Sequence, residues 1–155
     1  MRPDLTPQKF ELLVRIVLQN LLLVGAVAMF TGLAIVGLVR PGSAWITASI
    51  HAVASGALLL QWCHHGVRTM QIKNFVVEQE AGQPGTWETW LPAHRPERLL
   101  GTRWLISTKG VFLGLQVAMM GLATALSGMT DHAAMIFCMV AFAGSLGLLF
   151  TNPKE

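Results

Sequence analysis

Four long apolar runs, arranged in two pairs, limit what this chain can fold into more than any other feature. The stretch from Leu21 to Val39 holds no charged residue and would span roughly 28 Å as a helix, close to the thickness of a hydrocarbon core. A backbone inside hydrocarbon has to satisfy its own polar groups, and continuous helix does so without help from neighbours. The first expected span therefore covers about residues 17–39. Its lead is amphipathic: Thr6-Pro7 reads as an N-cap followed by proline at the first helical position. Phe10, Leu13, Ile16 and Val17 then follow at helical spacing. Ala26-Val27-Ala28 matches a signal-cleavage pattern, but Asp4 and Glu11 dilute the basic lead and apolar residues continue past it, so an uncleaved span is expected.

Arg40-Pro41-Gly42-Ser43 reads as a tight connection with a helix N-cap. The second span covers 44–63, with Trp45 and Trp62 near its ends, where indole rings favour the headgroup level. Ile72, Phe75 and Val76 keep the helical period until Gly82 and Pro84 break it. The third span, 107–127, is expected to start before Lys109, whose amine would snorkel to the polar boundary. Residues 97–108 look like an interfacial helix leading into it, anchored by Trp104. Ser127 to Asp131 forms the second tip, and 133–150 the fourth span, ended by Thr151-Asn152-Pro153.

The expected fold class is thus an all-α membrane protein of four transmembrane helices in two hairpins, a single domain over residues 1–155. The central loop, 64–106, carries amphipathic helical extensions. With 53% hydrophobic and 12% charged residues, the chain is too apolar for an ordinary soluble domain, which is the less favoured alternative. The net charge of +3 does not imply nucleic acid, because the basic residues sit in segments beside apolar runs. Ten of the eleven Lys and Arg residues lie in the N-terminus, the central loop and the tail, and only Arg40 lies at a hairpin tip. That asymmetry predicts both termini and the central loop on the cytoplasmic side. The short tips and small size suggest a bacterial inner (plasma) membrane protein.

Chemistry is sparse. The spans contain no Asp or Glu, and the chain shows no nucleophile motif and no Gly-rich phosphate loop. A proton-coupled transporter and a membrane hydrolase are both disfavoured. Cys63 and Cys138 lack a CxxC partner, which leaves neither a disulfide framework nor a zinc site.

Several residues nonetheless stand out. Trp87 and Trp90 on the polar loop, with Arg95, Arg98 and Arg103, form a candidate partner-binding surface. The same groups would also suit the headgroup layer and anionic lipid. Small residues recur every fourth position at Ala48, Ala52 and Gly56, and again at Gly110, Gly114 and Ala118. Such stripes let helices approach closely, with packing inside the bundle expected and a homo-oligomer interface the alternative.

His51 is the titratable residue well inside a span. With His132 it makes a candidate pair of b-type haem ligands, weighed against a His51 bonded to Thr47 or a backbone carbonyl. Cys63-His64-His65 is not a converging metal box, because adjacent histidines on a helix point about 100° apart; at most they share a transient metal contact with His94. Arg15, Gln19 and Asn20 form a polar patch, for which snorkelling of Arg15 is the simplest explanation. Gln116 is expected to make an interhelical hydrogen bond.

Together these features predict a non-enzymatic subunit or accessory factor of a membrane complex that docks through its central loop. A haem-binding anchor of a redox complex, or a small channel or transporter, are the alternatives.

Overall fold

A computed structural model describes residues 6–80 and 106–150. Those residues form four α-helices and no strand: α1 (Thr6–Val39), α2 (Ala44–Glu80), α3 (Ile106–Ser127) and α4 (His132–Phe150). Three helical stretches, Thr6–Val39, Pro41–Gln79 and Thr108–Ser127, are long and apolar enough to cross a membrane. The apolar stretch His132–Gly147 is shorter. The expected lead of the first helix, the extension of the second past its span and the start of the third before Lys109 are all present.

Helix α1 has 34 residues and α2 has 37, so each exceeds the roughly 30 Å of a hydrocarbon core by about 20 Å or more. The surplus lies at the end away from the hairpin tips. There Ile72, Phe75 and Val76 of α2 are buried, with Leu12 of α1 packed against them.

A single 3-10 turn, Pro41–Ser43, joins α1 to α2. The Ser43 hydroxyl donates to the Arg40 carbonyl at 2.8 Å and does not serve as the expected N-cap of α2. At the second tip Asp131 Oδ1 accepts from the Ala134 amide at 3.0 Å, capping α4. Gly128 holds φ +62°, a left-handed conformation that glycine adopts without Cβ strain. The two tips are tied together, since Ser127 Oγ donates to the Pro41 carbonyl and Trp45 Nε1 donates to the Gly128 carbonyl at 2.8 Å.

Helix α2 is the centre of the bundle and packs against α1, α3 and α4. Two apolar clusters fill the interior. Near the tips lie Ala44, Trp45, Ala48, Ala52, Met119, Ala123 and Cys138, and further along lie Ala26, Leu59, Trp62, Cys63 and Phe112. Trp45 and Trp62, expected as headgroup anchors, are buried instead. Trp45 spends its N–H on a backbone carbonyl, and Trp62 stacks at a tilt on Phe112 with centroids 6.4 Å apart. An indole placed inside gains contact area and, for Trp45, a bonded N–H as well.

Candidate functional site

The small residues of α2 and α3 fare differently. Ala48 and Ala52 are buried, and a Cβ on Gly56 would meet Ser145 Oγ at 3.5 Å. This stripe packs α2 onto its neighbours. Gly110, Gly114 and Ala118 of α3 face outward, and Gly121 and Ala125 extend the same exposed face. Nothing among the described residues lies within 4 Å of a Cβ built on Gly110, Gly114 or Gly121. Among the described residues, no other helix is brought against the α3 stripe. Val111 and Val117, both exposed, flank it, so the face is a shallow groove floored by backbone. The rest of α3, including Phe112, Leu113, Gln116, Met119 and Ala123, faces inward.

Polar groups occupy two levels inside the bundle. At the first, Gln116 Nε2 donates to Ser145 Oγ at 3.0 Å and lies 3.5 Å from the Ala52 carbonyl, which is the expected interhelical bond. Ser145 passes its own proton to the Ala141 carbonyl at 3.0 Å. Ser55 Oγ lies 3.5 Å from the Phe112 carbonyl. His51 is fully buried at this level, its ring edge-on to Phe30 of α1 at 5.7 Å and 74°.

Neither His51 nitrogen has a hydrogen-bond partner among the described residues, and Gln116 Oε1 has none either. The expected bond to Thr47 is absent, and that hydroxyl donates to the Ala44 carbonyl at 2.9 Å. Leaving such a group unmet costs about 1–3 kcal/mol.

The second level lies toward the surplus helix ends. Gln19 Nε2 donates to the Trp62 carbonyl at 3.3 Å. Cys63 and Lys109 are both fully buried and close enough to interact electrostatically. Lys109 is thus enclosed between helices, contrary to the snorkelling expected from its place near the span boundary. Beyond the second span, Arg15 is held by Glu11 at 2.6 and 2.8 Å, and its Nη1 lies 3.5 Å from His65 Nδ1. Arg15 is therefore engaged within the protein, and snorkelling is not needed to place it. His65 is held below the ordinary imidazole value, first by burial and then by the Arg15 guanidinium and His64.

Between the two levels sits the apolar layer of Ala26, Leu59, Trp62 and Phe112. No group of three or more His, Cys, Asp or Glu among the described residues is placed to hold a metal ion. His64 and His65 lie with ring centroids 5.8 Å apart.

The helices also separate the two histidines considered for haem. Ser49 Oγ is 3.6 Å from Cys138 Sγ. One pair further along, Gly56 faces Ser145 at the same residue offset. Helices α2 and α4 thus run in the same direction, and the register puts His51 about 12 Å along the axis from His132 at 1.5 Å per residue. His132 is exposed at the start of α4.

No known protein family, curated protein or solved structure matches this chain. Function has to come from the residues themselves. Trp87, Trp90, Arg95, Arg98 and Arg103, with His94 and Trp104, lie outside the described residues. Sequence reasoning picked out Gly110, Gly114 and Ala118 but expected them packed inside the bundle, and it missed that the stripe runs on through Gly121 and Ala125. Its signal was present, since Gly110, Gly114, Ala118, Gly121 and Ala125 all fall within one third of a helical turn.

Proposed function

We propose that this protein is a non-enzymatic subunit or accessory factor of a larger membrane assembly, seated in a bacterial inner membrane with four spans and with both termini on the cytoplasmic side. The observation that carries it is the outward groove of α3, where Gly110, Gly114, Ala118, Gly121 and Ala125 expose backbone along one face. Helices in lipid gain no hydrophobic drive from pairing and associate through close packing, which small residues permit. The intramolecular use of such a stripe is already met by Ala48, Ala52 and Gly56. Among the described residues nothing covers the α3 face, which suits it to a helix of another polypeptide.

The central segment, 64–106, would add a second contact on the cytoplasmic side through Trp87, Trp90, Arg95, Arg98 and Arg103. Aromatic and arginine side chains are enriched at the energetic centres of interfaces. The concentration of basic residues away from the tips supports the orientation, and the absence of Asp and Glu from the spans supports a role without chemistry.

Purification of the full chain in mild detergent tests this. A second polypeptide should accompany it in stoichiometric amount and be lost in the double variant Gly114→Leu/Gly121→Leu, which leaves the interior of the bundle untouched. A monodisperse monomer, or an assembly of this chain alone, would overturn the proposal. A Soret band in the purified material that disappears in His51→Ala would replace it with a haem-binding role.

A further inference from the structure

We propose that the level of the bundle around His51 and Gln116 is an internal hydration site, which binds water among α1, α2 and α3. A neutral imidazole carries one N–H donor and one lone-pair acceptor, and an amide oxygen is a pure acceptor. All three of these atoms are enclosed and without a partner among the described residues.

Both side chains are held in place by contacts that do not satisfy these atoms. Gln116 is fixed by its Nε2, through Ser145 Oγ and the carbonyl of Ala52, the residue next to His51. The His51 ring is fixed edge-on against Phe30, which offers carbon only. Thr47 Oγ1 donates to the Ala44 carbonyl and makes no bond to His51.

The ligand that matches is small, neutral and able both to donate and to accept, and water is the one that meets all three demands in a close-packed interior. Buried water of this kind settles where several polar groups converge, whereas a purely apolar cavity stays dry. An ion does not match, because Phe30, Ala52, Ser55, Met119 and Ser145, which belong to this level, bring no charge. One side is closed by Ala26, Leu59, Trp62 and Phe112. The site is thus a blind polar station and not a passage, and it is independent of what occupies the α3 groove.

X-ray radiolytic labelling of the full chain in lipid nanodiscs, read by mass spectrometry, tests this, because bound water oxidises side chains beside it even when they are fully buried. Each rate is normalised to the same residue in the detergent-unfolded chain. His51 should then be labelled several-fold faster than Phe112, which is equally buried but lies in the apolar layer. Gln116→Leu should slow labelling at His51 by a factor of about two or more. Labelling of His51 no faster than that of Phe112 in the wild-type protein would overturn the proposal, and so would a His51 rate unchanged in a folded Gln116→Leu variant.

Discussion

Gln116 of α3 donates to Ser145 of α4 at 3.0 Å, and Ser145 in turn faces Gly56 of α2 across 3.5 Å measured to a built Cβ. Three helices therefore meet at one hydroxyl. Hydrogen bonds between membrane helices average about 0.6 kcal/mol and reach about 1.7 kcal/mol. Ser145→Ala should accordingly lower stability by about 1 kcal/mol, read by unfolding in mixed micelles. Gln116→Ala should cost more, because it also removes buried side-chain volume.

The two glycine environments predict opposite outcomes. A Cβ on Gly37 would meet Thr47 Oγ1 at 3.3 Å, with the Ala44 backbone and Leu126 next at 3.9 Å. Gly37→Leu should destabilise the isolated chain by about 1–3 kcal/mol through overpacking. Gly114→Leu meets nothing among the described residues and should leave the melting of the isolated chain unchanged or slightly raised, since glycine is a poor helix former. The same substitution should abolish partner association.

The second tip depends on one backbone conformation. Gly128 at φ +62° places its carbonyl where Trp45 Nε1 reaches it. Gly128→Ala should cost about 1 kcal/mol, the penalty of a left-handed residue with a Cβ. Trp45→Phe should cost a similar amount by removing the donor. The fluorescence of Trp45 in a single-tryptophan background should shift to the red when Gly128 is changed, as the indole loses its enclosed position.

Below neutral pH, His65 should weaken the fold. Its imidazole is held below the ordinary value by burial, by Arg15 and by His64, so the unfolded chain takes up this proton more readily than the folded one. The stability it supports is complete above the ordinary imidazole range. It falls as pH drops through that range toward the lower folded value, and is lost below it. NMR titration of labelled His65 should give a midpoint below that of a free histidine, and Arg15→Gln should raise it.

Helix existence was readable because the signals are local. The tip residues mark boundaries within a few positions, and the Ile72, Phe75, Val76 period carries the second helix past its span, while the expected break at Gly82 and Pro84 lies outside the described residues. Which face of each helix turns inward was not readable, because a helix apolar all round presents the same pattern to lipid and to its neighbours. The stripes at Ala48-Ala52-Gly56 and Gly110-Gly114-Ala118 look alike in sequence, yet among the described residues only the first is packed against other helices. For the same reason Trp45 and Trp62 resembled headgroup anchors and proved to be core. Lys109 resembled a snorkelling side chain, because its distance from the span end is visible in the sequence while the enclosure by neighbouring helices is not. The expected His51–Thr47 bond does not form: Thr47 bonds its own backbone three residues back, as hydroxyls in helices commonly do, and the His51 nitrogens have no partner among the described residues.

The most direct test of the central proposal is intramembrane photo-crosslinking in native membranes, with the photoreactive residue placed in turn at Gly114 on α3 and at Val140, an exposed position on α4. A single adduct with one other polypeptide from Gly114 and only lipid adducts from Val140 is the expected result. Lipid adducts alone from both positions, or an adduct of this chain with itself from Gly114, would contradict a subunit that seats its α3 groove against a partner.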